Sequence, residues 1–157
     1  CLENVLSSTT LRKLDLSWNA FNDDVFVALG ANVAQEHVHV ESLNLANCSA
    51  VHLQTPGSAD SKPANVMVEY LAADKKLTSL DISMNSLDAT SALVLEDALE
   101  NHPQLTALNV SHNPMGRLGG HCLLRLFAKS KICQLNCQET LRRGTDIDQF
   151  FQWCNPE

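Results

Sequence analysis

Leu11-Arg-Lys-Leu14-Asp-Leu16-Ser-Trp-Asn19 returns three more times in altered form. The later copies are Val40-Glu-Ser-Leu43-Asn-Leu45-Ala-Asn-Cys48, Leu77-Thr-Ser-Leu80-Asp-Ile82-Ser-Met-Asn85 and Leu105-Thr-Ala-Leu108-Asn-Val110-Ser-His-Asn113. Each fits L-x-x-L-x-L-x-x-N/C. A fifth, Ile132-Cys-Gln-Leu135-Asn-Cys137, keeps the apolar positions but loses the asparagine. The copies start 29, 37, 28 and 27 residues apart, a period near 28 with about nine extra residues in the second unit. Leu80 and Ile82 alternate with Ser79, Asp81 and Ser83, as in a half-buried strand. Two, ten and fourteen residues past the asparagine come Phe21, Leu29 and Val33; then Leu87, Leu95 and Leu99; then Met115, Leu123 and Phe127. That spacing predicts a helix with one buried stripe after each strand. One such unit cannot bury its own face, so stacked units must share a core. Asn19, Cys48, Asn85 and Asn113 are placed to satisfy backbone groups at the bend leaving each strand.

The pattern resembles the leucine-rich repeats, specifically the long, ribonuclease-inhibitor-like subclass. The resemblance spans nearly the whole chain. It implies an α/β fold: a right-handed leucine-rich-repeat solenoid, a horseshoe segment with a concave parallel sheet and convex helices. Residues 1–138 are read as repeats and 139–157 as a C-terminal capping segment. In that segment Thr145 caps a short helix with Asp146 and Asp148 in its first turn. Ile147, Phe150, Phe151 and Cys154 share one face of it and are expected to cover the last repeat; an aromatic docking helix is the alternative. Residues 1–10 read as the tail of an earlier repeat's helix and a turn. Cys1 in place of Met, and no polar cap ahead of the first repeat, lead us to expect a longer chain with further repeats upstream. The insertion around 51–62, with Pro56-Gly57-Ser58, reads as a surface loop. It leaves the strand-to-helix side, where it can overhang the concave face and contact a partner. The next helix is predicted to start near Pro63.

Composition narrows the function. The 157 residues include 24 leucines and carry a formal net charge of −7, with a sequence pI near 5.2. That balance argues against nucleic acid and against a polybasic membrane contact. Nothing approaches 18 consecutive apolar residues, and no signal-peptide pattern opens the chain. There is no phosphate-binding loop, nucleophile elbow or calcium loop. Ser, His and Asp are present without a spacing that unites them, so no catalytic residue, enzyme activity or cofactor is assigned. Gly116, Gly119 and Gly120 read as helix packing rather than phosphate binding.

Of six cysteines, Cys48 replaces the repeat asparagine, Cys137 takes an inward leucine position and Cys122 lies on a helix. These read as buried reduced thiols, and the resemblance implies a cytoplasmic protein. A zinc site from Cys133, Cys137, Cys122 and His121 is disfavoured, because Cys-x3-Cys on a strand separates the thiols by about 13 Å. Ligands must converge within about 2.3 Å of the metal. His37 and His39 read as exposed turn residues. The Asn-x-Ser sequons at Asn47 and Asn109 are weak evidence for secretion.

The positions between the leucines form rows across the concave face. One row is Lys13, Ser42, Ser79, Ala107 and Gln134; the next is Asp15, Asn44, Asp81, Asn109 and Asn136. A third is Ser17, Ala46, Ser83, Ser111 and Gln138. Just beyond lie Trp18, Asn47, Met84 and His112. This small, polar surface suits a macromolecule better than a small substrate. Trp18, Met84 and His112 are the expected anchors, with partial packing at the strand exit as the alternative. Lys13, Asp15, Asn44, Asp81 and Asn109 complete the candidate partner-binding set, and no metal ligands are assigned. A mixed or basic partner suits the net charge better than an acidic one. The leading expectation is therefore a non-catalytic scaffold that binds a protein through the concave face, and through the 51–62 loop if that loop is functional. The resemblance implies inhibitors, innate-immune sensors, cytoskeletal or ciliary assemblies and ubiquitin-ligase receptors as settings. The alternative is a GTPase-regulating, activating-protein-like member of the same subclass, although no residue carries over by motif and the long acidic tail is absent.

Overall fold

A computed structural model describes residues 10–49 and 63–141. The expectations for residues 1–9, for the 51–62 loop and for the 145–154 helix lie outside the described residues. The chain alternates β1 (Lys13–Asp15), α1 (Asp23–Val33), β2 (Ser42–Asn44), α2 (Pro63–Leu71), β3 (Ser79–Asp81), α3 (Ala89–Leu99), β4 (Ala107–Asn109), α4 (Gly116–Lys129) and β5 (Gln134–Asn136). The strands form one sheet in chain order, all parallel. Its register aligns Leu14, Leu43, Leu80, Leu108 and Leu135. Each helix packs on the next along the chain. The leucines point from sheet to helices and form one core that runs through all the units.

Local chemistry starts the helices. Asn22 Oδ1 accepts from the Val25 N–H at 3.1 Å, with Asp23 and Asp24 in the first turn, where carboxylates oppose the positive helix end. Asp88 and Ser91 make a reciprocal capping pair before α3. Pro63 opens α2 at the predicted position. Gly119 is a packing residue: a Cβ there would lie 2.5 Å from Met115 Cβ and 3.3 Å from Ala92 Cβ.

The repeat asparagines do more than close their own bend. Asn85 Oδ1 accepts from the N–H groups of Cys48 and Ser49 in the preceding unit, both at 2.8 Å. Its Nδ2 donates to the carbonyls of Leu45 and Ser83. Asn113 repeats this one unit on, accepting from Asn85 and Leu87 and donating to Ile82, Val110 and Ser111. Cys48 supplies only the donor half, from Sγ to the Leu16 carbonyl at 3.0 Å. Burial pushes its thiol pKa up, consistent with an unreactive core thiol. In unit five the position belongs to Thr140, which is buried and donates from Oγ1 to the Cys137 carbonyl at 2.7 Å. Asn19, in the first unit, is exposed and bonds only locally, to Leu16 and Ser17 carbonyls.

The opposite bends, from helix to strand, hold a second buried polar pair. Asp74 Oδ2 accepts from the N–H groups of Lys76 and Leu77, at 3.0 and 2.7 Å. One unit on, His102 Nδ1 accepts from Leu105 N–H at 3.1 Å, so its Nε2 carries a proton. That Nε2 lies 3.4 Å from Asp74 Oδ2 without hydrogen-bond alignment, an electrostatic contact between neighbouring units. Burial works against the Asp74 charge. His102, the two N–H groups and the Lys76 ammonium outweigh it and hold the carboxyl below the usual aspartate range.

Two core expectations need correction. The repeat spacing places Phe127 in the buried stripe, yet it is 42% exposed and Leu126 is buried in its place. Cys137 stands at an inward leucine position by the same count, yet it is exposed. Both lie in the last described units, where no further described repeat covers them. Enough protein surrounds Cys137 to push its thiol pKa up.

The two kinds of bend make two predictions. Asn113→Ala strands two buried N–H groups and should cost roughly 3 kcal/mol in urea unfolding, against under about 1 kcal/mol for Asn19→Ala. Asp74 has a folded pKa below its unfolded value of about 3.9. Its stabilisation is therefore complete well above pH 4 and is lost as pH falls through the folded value. Asp74→Asn should flatten that acid limb in a series of urea midpoints.

Candidate protein-binding site

Pairing brings the expected rows together. Lys13, Ser42, Ser79, Ala107 and Gln134 stand in one register, and Asp15, Asn44, Asp81, Asn109 and Asn136 in the next. Over β3–β5 the face dips into an open depression of about 360 Å³ lined by Ser79, Asp81, Ala107, Asn109, Gln134 and Asn136. The Asp/Asn row also has a local duty. The side-chain oxygens of Asp15, Asn44, Asp81, Asn109 and Asn136 each accept the N–H two residues on, in five repeated Asx turns. Aspartate and asparagine alternate along the first four strands of the row. Asn44 Nδ2 donates to Asp15 at 3.1 Å, and Asn109 Nδ2 to Asp81 at 2.7 Å. The Ser17 hydroxyl and N–H, with Asn44, hold the Asp15 carboxyl below its usual range. These residues build the exit from the strand and still present polar atoms to the face.

The third row departs from expectation. Ser83 and Ser111 are buried, at 6% and 5% exposed, and present little to a partner. The Asx turns curl the chain inward there, and the Ser83 hydroxyl donates to Asp81.

The rim beyond is the most unusual part of the surface. Trp18, Asn47, Met84 and His112 have φ of 60°, 53°, 59° and 56°, and Glu139 adds a fifth at 56°. Their N–H groups cross between units, as from Trp18 to the Ala46 carbonyl and from His112 to that of Gln138, both at 2.8 Å. The repeat thus imposes a left-handed residue at every strand exit. Asparagine suits that conformation, whereas a bulky side chain there costs about 1 kcal/mol. Trp18 is nevertheless 71% exposed and Met84 40% exposed, and His112 is also exposed. Within the described residues the Trp18 and His112 side chains make no hydrogen bond. At a strand spacing of about 4.8 Å, Met84 and His112 are neighbours and Trp18 lies two strands from Met84. Glu139 and Thr140 escaped the sequence reading because Cys137 obscures the fifth copy; counting two and three residues past it finds both.

Among the described residues no cluster of three His, Cys, Asp or Glu side chains could hold a metal. No helix among them is long and apolar enough to cross a membrane.

A leucine-rich-repeat family model matches residues 7–24 and 101–124. No curated protein matches the chain in sequence. Among solved structures, leiomodin-1 actin-binding site 2 superposes with a TM-score of 0.69 at 18% identity, covering 98% of this chain and 89% of that one. The tropomodulin C-terminal domain of Caenorhabditis elegans superposes with a TM-score of 0.64 at 13% identity, covering 94% of this chain and 84% of that one. With the repeat and the parallel sheet, these matches show that the chain has a leucine-rich-repeat fold.

If the rim side chains serve no packing role, Trp18→Asn should leave urea stability unchanged or raise it by up to about 1 kcal/mol, because asparagine tolerates the left-handed backbone. A loss above about 1 kcal/mol would instead assign Trp18 to packing at the strand exit.

Proposed function

We propose that this chain is a non-catalytic interaction scaffold that binds a protein across its concave sheet and strand-exit rim. One observation carries the reading: Trp18 occupies a left-handed backbone position and yet is 71% exposed. Strain without intramolecular return is a mark of a functional surface. Trp18, Met84 and His112 act as anchors. Lys13, Asp15, Asn44, Asp81 and Asn109 supply the polar floor between them, with the aspartate and asparagine side chains already oriented by the Asx turns. Preorganised polar groups lose little freedom on binding, while the large rim side chains concentrate the energy.

Actin is the first partner to test, since the leiomodin-1 structure of like fold is an actin-binding site. Binding to actin would place this chain with the cytoskeleton. The test compares the full chain with a Trp18→Ala, Met84→Ala, His112→Ala triple variant. Binding to monomeric actin is read by fluorescence anisotropy and binding to filaments by co-sedimentation, with circular dichroism checking the fold. Actin binding weakened at least about tenfold in the folded variant is the expected result. Equal binding by both would move the site off the rim. No binding by either would remove actin as the partner.

A further inference from the structure

The junction between α2 and α3 is built differently from the two beside it. Between α1 and α2, Gly30 makes room for the next helix: a Cβ there would lie 3.0 Å from the Tyr70 ring and 3.1 Å from Met67 Cα. Between α3 and α4, Arg125 pairs with Glu96 at 2.6 Å, Lys129 with Glu100 at 3.4 Å, and Gly119 meets Ala92. The two ion pairs have no counterpart across α2 and α3. Counting from the repeat asparagine, and allowing for the nine-residue insertion, Asp97 and Val68 stand where Arg125 meets Glu96. Asn101 and Ala72 stand where Lys129 meets Glu100. An acid has replaced the arginine, and an alanine the glutamate.

Those replacements leave a groove of about 340 Å³ on the helical face, lined by Glu69, Ala72, Leu93, Val94, Asp97 and Ala98. Its floor is apolar and low, because two of the residues there are alanines. Leu93 stands at the lip, 53% exposed. Glu69 and Asp97 are both exposed, one from each side of the groove. Within the described residues neither carboxylate has a hydrogen bond or an ion pair. Neighbouring helices lie about 8–10 Å apart, so two like charges share one apolar groove. That arrangement attracts a cation carried on an apolar support.

We propose that the α2–α3 groove docks a basic amphipathic helix of a partner protein, on a surface separate from the concave face. Apolar side chains of that helix cover Ala72, Leu93, Val94 and Ala98, and its lysines or arginines pair with Glu69 and Asp97. The partner thereby brings from outside the cations that α4 brings to α3.

The test uses a fluorescein-labelled helix of about 18 residues, built of leucine, alanine and lysine with the leucines on one face. Its anisotropy is read against the full chain, and saturable binding is expected. Glu69→Lys with Asp97→Lys should weaken binding at least about tenfold. Glu69→Gln with Asp97→Asn takes its place should circular dichroism show that the lysines unfold the domain. Ala72→Trp fills the groove and keeps both charges, and should weaken binding at least about fivefold. Asp24→Lys with Glu36→Lys makes the same change of net charge at exposed positions elsewhere, and should leave binding within about twofold. The Trp18→Ala, Met84→Ala, His112→Ala variant should do the same, so that the groove and the rim stand or fall separately. No saturable binding by the native chain would overturn the proposal. Equal weakening by the Asp24 and Glu36 pair would reduce the attraction to net charge and overturn it too. So would binding that survives Ala72→Trp. Peptide affinity that falls as the chain is concentrated would assign the groove to a second copy instead.

Discussion

The buried asparagine that follows β3 and β4, Asn85 and then Asn113, is the interaction on which the rest depends. A three-residue strand buries little by itself, and its neighbour is nearly thirty residues away in sequence. What holds the two in register is an amide that accepts two N–H groups from the preceding unit and donates its own two N–H groups to carbonyls of both. Asn85 and Asn113 are almost wholly buried, so each bond forms where water cannot compete and each missing one leaves an unsatisfied group. The leucine core supplies most of the free energy, but it is non-directional. The amide ladder decides which unit stacks on which and at what height.

The Asp74–His102 contact plays a similar part on the opposite bend, tying units two and three where the helices return to the sheet. The surface pairs between α3 and α4 differ in weight. Arg125 is fixed to Glu96 by two short bonds, yet it stands in water, where such pairs contribute little. Its value lies in orienting the helix, which leaves Leu124 and Phe127 on the outer flank.

The concave face and its rim rest on the same ladder. To bring the asparagine beneath the sheet, the chain must turn through a left-handed residue just before it, and the Asx turns of Asp15, Asn44, Asp81, Asn109 and Asn136 start that turn. Each unit therefore pushes one side chain outward at the same height. A repeat that must strain one residue per unit also offers one well-placed position per unit, and here three of these carry tryptophan, methionine and histidine. The floor between them is polar, and its Asp and Asn side chains are preoriented.

The strand positions, the sheet order, the inward leucines and the start of α2 were all legible in the chain. They depend on local periodicity and on the apolar residues each unit must bury, and both repeat every 28 residues or so. The rows of Lys13, Asp15, Asn44, Asp81 and Asn109 came from the same count. Other features depend on what lies beside a residue rather than on its own repeat. Phe127 and Leu99 share a position, but only Leu99 has a described unit packed over it. Ser83 and Ser111 look like outward polar residues until the Asx turns draw them in. Asp74 and His102 lie in different units and meet only after the helices have packed. The left-handed rim is decided last, by hydrogen bonds between strands that are distant in the chain. The sequence by itself determined the repeat and its buried face, because periodic burial is a local demand. The tertiary structure alone decided which polar and terminal residues are covered, because that depends on the neighbouring unit.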